Sequence, residues 1–183
     1  IIENEFGDVA VDDGVIQAAS EEQLIEMMNG CICCTVRGDL VKVLKKLTAQ
    51  RKSGEITFDS IIVETTGLAD PAPVAQTFFV DEDVQAEYSL DGIVTVVDAK
   101  HLVQHLDDEK AEGVENEAEE QLAFADRVVL NKLDLVSEKE LENVVTRIKS
   151  INSGVKIIKT QQSVVDPKEL INIQGFDLDK VLA

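Results

Sequence analysis

Val128-Val129-Leu130-Asn131-Lys132-Leu133-Asp134 is the stretch on which the fold turns. Three unbroken apolar residues, two of them β-branched, read as a strand covered on both faces. A polar NKxD string follows at once. Working outward, Ile93-Val94-Thr95-Val96-Val97 is a second strand of the buried type, ending at Asp98. Phe58 to Glu64 holds a third, with Ile61, Ile62 and Val63 continuously apolar, and Lys156 to Lys159 is a short fourth. Helical patterns lie between them. From Val36 onward, Leu40, Val43, Leu44 and Leu47 fall on one face, and Gly54 closes the unit. Gln23 to Asn29 reads as a short helix ended by Gly30, Pro71 and Pro73 suit a helix start, and Ser137 with Glu140 forms a capping box. Strands alternating with helices predict an α/β fold, a mostly parallel sheet with helices on both faces, and ligands at the carboxyl ends of the strands.

Composition narrows the function classes. Of 183 residues, 44% are hydrophobic and 29% charged, the balance of a folded globule rather than a disordered chain. At that length one domain is expected, covering 1–183. Seventeen basic against 36 acidic residues give a net charge of −19, which argues against nucleic acid and anionic membranes as partners. No apolar run reaches the roughly 18 residues of a membrane span. The chain opens Ile1-Ile2-Glu3-Asn4-Glu5-Phe6-Gly7, like a strand entered midway, so an internal piece of a longer protein is expected. Three cysteines crowded into Cys31–Cys34 are too few for a disulfide framework. They suit a reducing compartment, the cytoplasm or an organelle stroma.

Each motif has a chemistry and an ordinary alternative. The carboxylate of Asp134 can accept from the ring N1–H and the exocyclic amine of guanine together. The Asn131 amide can donate and accept, and the Lys132 stem can cover the flat face of the base. A polar turn closing a strand would carry the same letters. Glu64 after its strand could hold Mg²⁺ through water or orient an attacking water, and Gly67 lets a backbone N–H approach a γ-phosphate. A solvated turn is the plain reading there. A phosphate cradle of the form GxxxxGK[ST] is absent from the 183 residues, since none of the ten glycines precedes a lysine.

Cys31-Ile32-Cys33-Cys34 puts three thiols within four residues. Thiolates favour Zn²⁺, Cu⁺ or similar ions. In an extended segment Cys31 and Cys33 share a face and Cys34 points away, so all three can ligate only if the chain turns. A fourth ligand would come from elsewhere, such as an oxygen of Glu3, Glu5 or Asp8. A disulfide between adjacent Cys33 and Cys34 would be strained, which weakens a thiol-redox reading. His101 and His105 share one face if helical and could add nitrogen ligands, although solvated surface histidines are the commoner case. The acidic run from Asp107 to Glu120 reads as a solvated loop and helix face.

With ENEFG at Glu3–Gly7, GCICCTVRGDL at Gly30–Leu40, ETTGLADP at Glu64–Pro71 and NKLD at Asn131–Asp134, the chain strongly resembles the CobW-type P-loop GTPases. These are relatives of the GTPases that mature nickel hydrogenase and urease. The resemblance runs in order over nearly the whole chain. It implies a SIMIBI-class, P-loop NTPase-like domain, here without its upstream P-loop and its smaller C-terminal domain. It implies GTP/GDP and Mg²⁺ as ligands, and a metallochaperone or insertase role with Zn²⁺ the commonest cargo and Co²⁺ an alternative. By the resemblance, Asn131, Lys132 and Asp134 read guanine, and Glu64 and Gly67 form the Mg²⁺ and γ-phosphate element. Cys31, Cys33 and Cys34 form the metal motif, and Glu3, Glu5 and Asp8 correspond to additional metal-side or switch residues. A client metalloprotein would receive the ion.

Two function classes follow. One is a GTPase domain that couples hydrolysis to metal transfer in the full-length protein. The other is a non-hydrolysing metal-binding or partner-docking module, as the missing cradle would suggest for these residues alone. By themselves they are expected to bind GTP weakly. Loss of an internal strand would expose apolar surface and favour self-association into homo-oligomers.

Overall fold

The structure, a computed structural model, describes residues 2–5, 25–28, 35–67, 69–108, 110 and 116–175. The chain divides into two compact units, Ile1–Ser89 and Leu90–Ala183.

In the first unit, strands β1 (Ile2–Glu5), β2 (Ile25–Met28) and β3 (Val63–Glu64) form a parallel sheet in the order β2-β1-β3. Ile2 is in register with Ile25 and Val63, and Glu3 with Glu26 and Glu64. Helix α1 (Thr35–Ser53) buries Leu40, Leu44 and Leu47 against Ile2 and against Val84 of α3 (Glu82–Glu87). It stops at Gly54, whose φ of +78° places it in the left-handed region that ends helices. Helix α2 (Pro71–Val80) starts as its prolines require, with the Asp70 side chain accepting from the Ala72 N–H at 2.8 Å.

The second unit has β4 (Val94–Asp98), β5 (Arg127–Asn131) and β6 (Lys156–Lys159), parallel, in the order β4-β5-β6. Helices α4 (Leu102–Asp107), α5 (Glu117–Ala123) and α6 (Glu138–Ile151) pack with it. Val97, Leu122, Val128, Leu130, Val144 and Ile148 form the core. Each fully buried aliphatic side chain contributes about 1.5–3 kcal/mol, whereas an exposed ion pair contributes about 0–1 kcal/mol. Burial therefore sets the stability of this unit. Helix α6 carries the expected capping box: Glu140 accepts from the Ser137 N–H at 2.8 Å, and Ser137 Oγ accepts from the Glu140 N–H at 3.4 Å. At its other end the Asn152 amide donates to the carbonyls of Leu122 and Ala125, which ties α6 to the end of α5.

The α/β class, the parallel pairing and the four strands read from the sequence are present. Three expectations are corrected. Ile25–Met28 is a strand, not part of a helix over 23–29. A segment that short is marginal as a helix, and the ladder to β1 supplies its backbone partners. The third strand is only two residues long, and Ile62 is 59% exposed rather than covered on both faces. In β4, burial alternates: Thr95 and Val97 are buried while Val96 is 66% exposed. Strand β5 is buried continuously through Val128, Val129 and Leu130. The helix stop at Gly30 lies outside the described residues.

Candidate functional site

Asn131 is the last residue of β5, and the three residues after it build a turn. Lys132 takes the left-handed conformation, φ 63° and ψ 38°, which costs a residue with a Cβ about 1 kcal/mol or more. Leu133–Leu135 then form a single 3₁₀ turn that leaves the Asp134 carboxylate exposed, with no partner among the described residues. A left-handed lysine is tolerated only where its surroundings hold it, and here they do so from three sides.

From β6, the Thr160 N–H donates to the Leu130 carbonyl at 2.9 Å. The Asn131 amide nitrogen donates to Ser163 Oγ at 2.8 Å, and its oxygen accepts from the Ser163 N–H at 3.0 Å. Asn131 thus clasps the loop after β6, where Gln162 and Ser163 are themselves left-handed. Thr160 Oγ1 staples that loop by donating to the Val164 carbonyl at 2.7 Å. From β4, Asp98 is in register with Asn131. Its Oδ2 accepts from Lys132 Nζ at 2.8 Å and meets His101 Nδ1 at 2.9 Å, while Oδ1 accepts from the Lys100 N–H at 2.8 Å. Partial burial opposes the charge on Asp98, but the bonds from Lys132, His101 and the Lys100 N–H prevail and hold its carboxyl far below the ordinary range. From α6, Glu140 bonds Lys100 Nζ at 3.1 Å. The Ser137 N–H, the Ser137 hydroxyl and Lys100, in that order, pull its pKa down to about 2.

The result is a stapled turn at the carboxyl end of a parallel sheet, with one unengaged carboxylate, Asp134, and one anchored lysine stem. That pair can meet a flat heterocycle, by hydrogen bonds at its edge and by apolar contact on its face. Asn131, Lys132 and Asp134 share one turn, as their spacing in the sequence requires. The sequence carried no signal for Ser163, which joins them only through tertiary pairing. Asp98 was visible as a strand-terminal residue without an assigned role.

Glu64 and Gly67 belong to the first unit. Glu64 ends β3 and is exposed. The Thr66 hydroxyl is buried without a hydrogen-bond partner among the described residues, although its carbonyl accepts from the Ala69 N–H at 3.0 Å. Among the described residues, a Cβ added at Gly67 meets nothing within 4 Å. An orphaned hydroxyl, an exposed carboxylate and open space over a glycine backbone suit a hard cation and a phosphate, which take oxygen ligands and backbone N–H donors.

Glu3 lies in β1, in register with Glu64. Cys31, Cys33, Cys34 and Asp8 lie outside the described residues. Among those described, no three His, Cys, Asp or Glu side chains are grouped to hold a metal ion. His101 precedes α4 and pairs with Asp98, whereas His105 faces Asp108 at 3.6 Å. No helix among the described residues is long and apolar enough to cross a membrane.

Residues 1–159 match the CobW/HypB/UreG nucleotide-binding domain family. The zinc chaperone YjiA of Escherichia coli K12 is 36% identical over 180 residues, 98% of this chain and 54% of that protein. The zinc-regulated GTPase metalloprotein activator 1 of Schizosaccharomyces pombe is 36% identical over 182 residues, 96% of this chain and 42% of that protein. The chain therefore spans about half the length of these curated relatives. A Zn(II)-bound triple mutant of the YjiA GTPase superposes with a TM-score of 0.69 at 30% identity, over 84% of this chain and 43% of that one. The Zn(II)-bound YjiA GTPase of E. coli gives 0.72 over 96% of this chain and 61% of that one, and at 23% identity it bears on the fold alone. Similarity of this extent places the chain in the CobW/HypB/UreG nucleotide-binding family.

Proposed function

We propose that this chain is the nucleotide-binding part of a GTP-dependent zinc chaperone, one that couples GTP hydrolysis to metal transfer into a client metalloprotein. The observation that carries the reading is the stapled Asn131–Asp134 turn, with its single unengaged carboxylate beside an anchored lysine stem. Asp134 accepts from the guanine edge, Lys132 covers the ring face, and Asn131 holds the loop at Ser163 against the site. Glu64 and the Thr66 hydroxyl would hold Mg²⁺, directly or through water, and the Gly67 backbone would face the γ-phosphate. Mg²⁺, when bound, neutralises charge on the phosphates. Zn²⁺ is cargo, with Co²⁺ as the alternative, and Cys31, Cys33 and Cys34 are its proposed thiolate ligands, supplemented by Glu3 or Asp8. Such thiolates require a reducing compartment.

In sequence the metal ligands precede Glu64, interleaved with the nucleotide-sensing elements. Segments ordered around a γ-phosphate and relaxed after hydrolysis would hold the ion in one state and release it in the other. Reciprocity then requires that Zn²⁺ tighten GTP binding by the factor by which GTP tightens Zn²⁺ binding. The test measures Zn²⁺ affinity of the full-length gene product with a non-hydrolysable GTP analogue and with GDP. Different affinities support the coupling, and equal ones end it.

The lack of a GxxxxGK[ST] string in the 183 residues favours a second reading for these residues in isolation: metal binding or partner docking without turnover. A fluorescent GDP titration of the 183-residue chain separates the two, and submicromolar affinity would exclude the second.

A further inference from the structure

We propose that Asp98 is a positioning residue of the base site: from the end of β4 it anchors the Lys132 ammonium and so lays the lysine stem across to β4 as a fixed floor for the base. The inference rests on the guanine reading above and deepens it.

Asp98 and Asn131 are register partners on adjacent strands, which lie about 4.8 Å apart. Lys132 follows Asn131, so a stem that starts beyond β5 and ends at Asp98 must bridge that gap. The lysine side chain is half exposed, and Asp98 alone among the described residues holds its tip. Without that contact the four-carbon stem would sample many rotamers, and a ligand using it as a floor would bear the ordering cost. Asp98 is itself fixed. The Lys100 N–H and His101 orient its carboxylate from the turn after β4, so the anchor is rigid rather than one of two swinging chains. Exposed lysine–carboxylate pairs commonly contribute little to stability. The contribution assigned here is instead preorganisation of a binding surface, which a thermal melt does not read.

The experiment is a double-mutant cycle in nucleotide affinity on the full-length gene product, with GDP and xanthosine diphosphate as probes. Asp98→Asn keeps an oxygen acceptor for the Lys100 N–H and should retain the fold, and Asp98→Ser, which keeps one too, serves as second variant. Either should weaken GDP binding by about five- to tenfold while preserving the preference for GDP over xanthosine diphosphate. In a Lys132→Met background the same substitutions should change affinity by less than about twofold, because the group they act through is gone. An equal loss in both backgrounds, or no loss in the wild-type background, overturns the positioning role. Asp134→Asn tests the underlying reading separately. It should move preference toward xanthosine diphosphate, and unchanged preference would remove the guanine reading and with it the role of Asp98.

Discussion

Two strand-terminal turns of this molecule carry candidate ligand contacts, and they are built oppositely. The turn after β5 is cross-linked: Ser163 closes on Asn131, Asp98 on Lys132, and Glu140 on Lys100. The turn after β3 leaves side-chain groups open. Among the described residues, Glu64 is exposed with no side-chain partner, the Thr66 hydroxyl is buried without one, and a Cβ at Gly67 would meet nothing within 4 Å. The first holds its strain, a left-handed lysine, with protein contacts. The second leaves polar groups for a ligand to satisfy. A site that must recognise the same base in every state gains from being preorganised. A site that must distinguish two phosphate states gains from being completed by one of them.

The comparison can be broken most decisively at Asp134. Asp134→Asn should lower GDP affinity of the full-length gene product by about a hundredfold or more, since a site built to bond a donor pair is left mismatched, and should leave the melting temperature unchanged. A drop in melting temperature comparable to that of a core variant would show that Asp134 is structural. Asn131→Ala should do the reverse in kind. It removes both bonds to Ser163 and should cost about 1–2 kcal/mol in denaturant unfolding, with weaker GDP binding as a consequence. Unchanged stability would show that the clasp is incidental.

Gly67→Ala sharpens the other side. No described residue crowds the added methyl, so folding should be unaffected, while GTP hydrolysis by the full-length gene product should fall by about tenfold or more as the methyl blocks close approach of a phosphate to the backbone. Full hydrolysis by a folded Gly67→Ala protein would remove Gly67 from the phosphate element. The smallest effect is in acid. Glu140 falls from 4.5 to about 2 in the folded state, so its contribution is complete above pH 4.5 and is lost as pH drops toward 2. Asp98, also lowered, adds a loss of the same sign that begins below its ordinary value of 3.8 and continues further into acid. Urea midpoints followed downward from about pH 6 should decline through this window, and Glu140→Gln should flatten the upper part of the decline.

Much of this was legible in the chain. The i, i+4, i+7 pattern of Leu40, Leu44 and Leu47, the Ser137–Glu140 box and the Pro71–Pro73 start each specify structure within a turn or two of themselves, and each is realised. NKLD announced a polar turn after a buried strand. Ile25–Met28 was misread because four residues carry too little periodicity to choose a helix or a strand, and pairing with β1, remote in sequence, makes the choice. Ile62 and Val96 were misread because apolar runs say that burial is favoured, not which face receives a neighbour.

What the sequence determined alone is therefore local: helix registers and caps, the order of strands along the chain, and the identity of the groups that end them. What only the tertiary structure decided is which of those groups meet: Ser163 on Asn131, Asp98 on Lys132, and β2 on β1. The physical reason is range. Propensity, capping and periodicity act over a few residues, whereas parallel pairing brings together segments tens of residues apart, and nothing in either segment names its partner.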